Sequence, residues 1–172
     1  MFKFSLTLLL SAFLQVPVSV SQNEIDQADA ALKFARYTEW PDKQSNSHFI
    51  IYTDIQQEYF LSMQQIMSQQ TVDNKKVKLK KISEEGTFQD ADMVWFVTNG
   101  EVNNDDEIIN KLINKPILTV TTDKSLLNKG VMFYFRDQGE TIDYLCNKEA
   151  VLHSGLSIKS TLLKESHCFT VQ

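Results

Sequence analysis

The sequence predicts a single layered α/β domain with a mixed, mostly parallel sheet, flanking helices and an antiparallel hairpin toward the C-terminus. Three observations carry this. Short apolar runs rich in β-branched and aromatic residues (FIIYT, ADMVWFV, PILTVT) alternate with segments of helical spacing. Two further strand-like runs, VMFYFR and TIDYLC, follow each other across Asp137, Gln138 and Gly139, as in a hairpin. The 172-residue length suits one domain with a substantial core.

The chain opens on a different kind of segment. Lys3 supplies a basic start, residues 4–20 are almost uncharged and apolar, and Ser19 and Ser21 place small residues at −3 and −1 before Gln22. This is the pattern of a secretory signal peptide spanning residues 1–21, with the mature domain at 22–172. Gln15 and Pro17 interrupt a run already short for a span of about 20 residues, so cleavage rather than anchoring is expected. No Cys stands near the cleavage point to carry a lipid anchor.

Within the mature domain, Ile25, Ala28, Ala31, Leu32 and Ala35 follow a helical period over 25–38, and their small size predicts a helix lying close to a sheet. Pro41 biases Trp40 away from helix and ends the segment near Glu39. Strands are predicted at 48–53, 75–82, 91–97 and 116–121. Between them come helices at 58–67 and 105–113, and a short helical turn at 125–128. In the second strand Lys75, Lys76, Lys78, Lys80 and Lys81 interleave with Val77, Leu79 and Ile82, the pattern of a half-exposed strand with a solvated Lys face. After the hairpin at 131–136 and 141–146, Asn147 is suited to cap a helix over 148–154 that Gly155 closes, and Leu156, Ile158, Leu162 and Leu163 form a last apolar segment.

Composition and motif content exclude several chemistries. A net charge of −5 and a pI near 5.2 argue against nucleic acid as a partner. Five dispersed glycines supply no phosphate-binding loop, and no nucleophile elbow accompanies Ser154–Gly155. Cys146, His153, His167 and Cys168 are zinc-type ligands, but the spacing C-x6-H-x13-H-C fits no compact module. Asp90 and Asp92 form one carboxylate pair; Asp105, Asp106 and Glu107 sit where acids complement a helix N-terminus. No catalytic, metal or cofactor site is expected, and the chain reads as a non-enzyme. Cys146 and Cys168 leave two readings open: a bridge in an oxidising compartment, or a small buried thiol at Cys146 beside Ile142 and Tyr144.

The stretch ADAALKFARYTEWP, residues 28–41, resembles the N-terminal signature of the YfiR family of periplasmic regulators. The resemblance continues through FIIYT, ADMVWFV and KPILTVTTDKSLLNKGVMFYF. It extends to Tyr144, Cys146, Asn147, Ala150, Gly155, Leu156, Ile158, Leu162 and Leu163 in order and spacing. The chain departs from the family pattern at Cys146, usually aliphatic, at Lys159, usually Ser, at Lys129, usually Gly, and in the tail 165–172. The aliphatic habit at position 146 favours the buried-thiol reading. The resemblance implies a periplasmic protein, often dimeric, that binds the periplasmic sensory region of an inner-membrane diguanylate cyclase, inhibits it and lowers cyclic di-GMP signalling, with a bearing on biofilm.

Phe34, Arg36, Tyr37, Glu39 and Trp40 are the expected partner-binding residues, since aromatic and Arg side chains dominate interface hot spots. The competing reading is that Phe34 and Trp40 close the core while Arg36 and Glu39 pair locally at i, i+3. Two other functions stand beside this one. The first is a small-ligand binding domain or degenerate enzyme with a pocket at the carboxyl ends of the parallel strands, formed by Arg36, His153 or Trp40. The second is a structural envelope component.

Overall fold

The computed structural model describes residues 20–41, 46–82, 87–97, 100, 104–137 and 142–170. In chain order the elements are α1 (Gln22–Arg36), β1 (Thr38–Glu39), β2 (His48–Thr53), α2 (Gln57–Ser68), β3 (Thr71–Val72), β4 (Lys75–Lys81), β5 (Met93–Phe96) and α3 (Asp105–Leu112). They continue with β6 (Leu118–Thr121), a 3-10 helix (Lys124–Lys129), β7 (Phe133–Asp137), β8 (Ile142–Asn147), α4 (Lys148–His153), β9 (Ser157–Ile158), α5 (Ser160–Glu165) and β10 (His167–Phe169). The main sheet runs β10-β8-β7-β6-β5-β2-β4-β3. Pairing is parallel from β4 through β2, β5 and β6 to β7, and antiparallel at the two hairpins β3–β4 and β7–β8. The expected mixed α/β domain is therefore the observed one.

Alternation along the strands builds a core on each side of the sheet. On one face Phe49, Ile51, Val77, Leu79, Met93, Trp95, Phe133 and Phe135 meet α1 and α2. On the other, Val94 and Phe96 meet Ile108, Ile109 and Leu112 of α3 and Leu126 of the 3-10 helix. Lys76 and Lys78 are exposed on β4 while Val77 and Leu79 are buried, the half-solvated pattern read from the Lys run. β3 was not anticipated. It exists because Asp73 and Asn74 take φ of 53° and 64°, the left-handed pair a two-residue hairpin turn demands and that Asp and Asn tolerate.

Helix α1 shows why the N-terminal segment sits where it does. Ala28, Ala30, Ala31 and Ala35 are all buried, so the helix axis approaches the sheet closely. At its start Ser21 and Glu24 form a capping box, each side chain meeting the other residue's backbone N–H. Glu24 also accepts from Ser62 Oγ of α2. Ser21 is the last residue of the predicted leader, so processing after it removes half of this cap. The remainder of the predicted leader, residues 1–19, lies outside the described residues.

The tail carries the main correction. Cys146 and Cys168 are joined by a disulfide, their Cα atoms 4.4 Å apart, so the reading of Cys146 as a free buried thiol does not hold. The reason is the register of a strand the sequence did not announce: β10 runs parallel to β8 and sets Cys168 opposite Cys146. Cys146 is nonetheless fully buried, so one residue serves both core and bridge. Lys33 of α1 adds a second tie, with its Nζ 2.6 Å from Glu165 and 4.6 Å from the centroid of Tyr144. The bridge closes a loop of sequence separation 22, which in the chain-entropy picture corresponds to about 3 kcal/mol. Cys168→Ser should lower the unfolding free energy by roughly that amount in urea titration, with the secondary-structure content of the folded state retained.

Candidate protein-binding site

The last turn of α1 holds the residues singled out from FARYTEWP, and the fold separates them. Phe34 is fully buried, its ring centroid 4.8 Å from Phe133, 6.0 Å from Phe135 and 5.4 Å from Tyr144. It is a core anchor and offers a partner no surface. Arg36 and Glu39 are exposed; Tyr37 and Trp40 are half-buried against the same core.

The helix stops at Arg36, three residues earlier than Pro41 alone suggests. Tyr37 caps it, its N–H reaching Lys33 and Phe34 carbonyls, and Thr38 Oγ1 donates to the Phe34 carbonyl at 2.8 Å. Thr38 and Glu39 then extend to pair with Ile158 and Ser157 of β9, and Lys159 N–H donates to the Tyr37 carbonyl at 2.9 Å. A distant strand outcompetes the final helical turn, because its ladder satisfies backbone groups that a fraying helix end leaves to water.

This pairing sets the side chains. Arg36 Nη2 donates to Gln70 Oε1 at 2.9 Å, beyond the end of α2, so the expected local pair with Glu39 does not form. Trp40 packs edge-on to Phe49 at 5.3 Å, and its Nε1 is buried without an acceptor among the described residues. Lys159 brings its Nζ to 6.0 Å from the Tyr37 ring centroid. The result is a strip of Arg36, Tyr37, Glu39, Trp40 and Lys159, with aromatic surface between charges of both signs. No nucleophile with an adjacent base lies in this strip. Lys159 and Gln70 escaped the sequence reading because they lie 122 and 33 positions from Tyr37. The only sequence signal for Lys159 was its departure from the usual Ser.

The alternative site would lie at the carboxyl ends of the parallel strands, where residues 98–99 and 101–103 are outside the described residues. The chain leaves β2 toward β4 and returns to β5 on its other side, so β2 and β5 flank the switch point where open α/β sheets bind ligands. Asp54 stands at that point, directly after β2. It is 3% exposed, its carboxylate accepts the Val97 N–H at 2.7 Å, and a Cβ at Gly100 would fall 2.0 Å from its Oδ2. Burial pushes the Asp54 pKa up to about 7; Asp105 adds to the rise, while the Val97 N–H and Lys81 oppose it. The residues expected to form a pocket here are apart from one another. Arg36 and Trp40 sit on the α1 side, and His153 lines a cavity of about 250 Å³ at the opposite, amino ends of the strands.

The remaining chemistry-bearing residues are also engaged in structure. Asp90 is held below the usual carboxylate range by its hydrogen bond with Lys80 and also accepts from the Tyr52 hydroxyl. Asp92 accepts the buried Ile50 N–H at 2.7 Å. Cys146 and Cys168, being oxidised to a disulfide, have no thiolate to offer a metal.

The family model described as YfiR/HmsC-like matches residues 27–167, from the middle of α1 to the first residue of β10. Cys168 lies just beyond the matched stretch. A comparison with curated proteins found no match.

Asp54 yields a test of this geometry. Between about pH 4 and pH 7 the unfolded carboxyl is ionised while the folded one keeps its proton, so the native state binds more protons and stability falls as pH rises, levelling above about 7. Asp92 and Asp105, also raised by burial, act in the same direction. Asp54→Asn, which keeps an acceptor for Val97, should flatten that decline when unfolding free energy is measured from pH 4.5 to 8. An unchanged slope would contradict it.

Proposed function

This chain belongs to the YfiR/HmsC-like family, and on that premise we propose that it is an exported periplasmic protein that binds the periplasmic sensor region of an inner-membrane diguanylate cyclase, inhibits it and so lowers cyclic di-GMP signalling. Members of this family are periplasmic regulators of diguanylate cyclase signalling, and the family is non-catalytic. The leader over 1–21 is the proposed route of export. Among the described residues no helix is long and apolar enough to cross a membrane.

The observation that carries the reading is the strip on the last turn of α1 and β1. It lies within the matched stretch and presents Tyr37, Arg36 and half of Trp40 from a backbone pinned by Phe34 below and β9 alongside. Rigid presentation of aromatic and Arg side chains lowers the entropy cost of docking and supplies the residue types that dominate interface energy. The neighbouring Glu39 and Lys159 give polar partners at the rim.

The test is co-purification from envelope extracts with a cyclase carrying a periplasmic sensor domain, alongside measurement of cellular cyclic di-GMP. Tyr37→Ala combined with Arg36→Ala should weaken the complex by about 30-fold or more, as loss of about 2 kcal/mol of hot-spot energy implies, and raise cyclic di-GMP. Arg36 is exposed and Tyr37 only half-buried, so the double variant should still fold, with a modest fall in melting temperature that is measured alongside. Wild-type recovery of the cyclase by the double variant, or failure of the native protein to capture a cyclase at all, would sink the proposal.

A further inference from the structure

The cavity of about 250 Å³ at the amino ends of the strands has no place in the protein-binding reading and does not depend on it. It lies between the ends of α3 and the 3-10 helix on one side and α4 on the other. Its floor is apolar: Ile109, Leu112 and Met132 are all at least 96% buried, and Ile113, 43% exposed, stands at the rim. Gly130 passes over this floor at φ 112°, and a Cβ there would press to 3.4 Å from Ile113.

The polar lining is narrowed to a few groups once the engaged ones are removed. Asn147 is consumed as the cap of α4, donating to the Leu127 carbonyl and accepting from Ala150 N–H. Thr119 Oγ1 accepts from Met132 N–H at 2.9 Å. Lys129, the lining cation, turns its Nζ to Asp106 at 2.7 Å. What is left is the Glu149 carboxylate, with His153 one turn on along the same face of α4, and the side-chain amides of Asn114 and Asn128. Among the described residues Glu149 enters no ion pair. The C-terminal ends of α3 and of the 3-10 helix bring partial negative charge to this cavity, opposite the N-terminus of α4, whose partial positive charge Glu149 offsets from its first turn.

From this convergence we infer that the cavity is a binding site for a small organic cation, an amine with a compact apolar or aromatic body. The body fills the Ile109, Leu112 and Met132 floor, and the ammonium is held by the Glu149 carboxylate with the Asn114 and Asn128 amide oxygens as further acceptors. The volume falls below the roughly 300–1,000 Å³ of drug-sized sites, which limits the occupant to a single ring or a short chain.

The experiment uses the mature protein with labelled Ile and Met methyl groups, titrated in turn with phenethylamine, phenylacetate and 2-phenylethanol and followed by NMR. Phenethylamine should give saturable shifts at Ile109, Ile113 and Met132, with phenylacetate at least about tenfold weaker, the ratio one charge-assisted hydrogen bond supplies. Glu149→Gln, at a partly exposed position, should weaken phenethylamine by about tenfold and leave 2-phenylethanol unchanged. The absence of saturable shifts at those methyls overturns the inference. So does equal binding of amine and carboxylate by the native protein, or undiminished amine binding by the variant. The three-probe comparison on the native protein decides the question even if the variant misfolds.

Discussion

The contact between Phe34 and the sheet is the constraint on which the rest of the N-terminal architecture depends. Four buried alanines let α1 approach the strands, and the one large ring on that flank enters a nest of Phe133, Phe135 and Tyr144. Aromatic clusters of this kind contribute beyond their buried area and hold one geometry, so the helix is fixed in rotation as well as position. Because Phe34 faces inward, Arg36 must face outward, and Tyr37 is left at the boundary. The exposure of the candidate strip is therefore a consequence of core packing, and the core is its support.

The two ends of the sheet have opposite characters, and a pair of buried carboxylates explains one of them. Strand β5 is only four residues long, yet it lies beside the central strand β2. Asp92, just before β5, accepts a backbone N–H of β2; Asp54, just after β2, accepts the N–H that follows β5. The two side chains extend the ladder at both ends of a short pairing. Their cost is visible in the raised pKa of each, since burial disfavours the charged form that makes the stronger hydrogen bond. At the carboxyl end Asp54 stands at the switch point with Gly100 against it. The amino end carries the β1–β9 ribbon, the candidate strip and the cavity of about 250 Å³.

The tail extends the same logic to the far edge of the sheet. A three-residue strand has too few ladder bonds to hold itself, and β10 is secured by a disulfide to β8 and by the Lys33–Glu165 pair to α1. Lys33 thus joins the helix bearing the candidate strip to the segment that completes the sheet edge. Its ammonium sits over Tyr144, the ring that also closes over Phe34.

Local pattern was enough to determine much of this protein. The apolar run FIIYT, the alternation in KVKLKK, the small-residue helical period before FARYTEWP, the hairpin after Gly130 and the Asn147 cap depend on neighbours a few positions apart, and each is present in the fold. So are the inward alanines of α1 and the outward Arg36. Only the tertiary structure decided the rest, because it depends on which distant segments meet. Thr38 and Glu39 leave the helix for a strand pairing about 120 residues away, Phe34 passes from candidate contact to core, and Arg36 finds Gln70 rather than Glu39. The Cys146–Cys168 bond follows from a parallel register, and the Lys129–Asp106 pair from the meeting of α3 with the 3-10 helix. Periodicity encodes which face of an element is apolar; it carries no record of which other element will cover that face, and the chemistry of both candidate sites arises there.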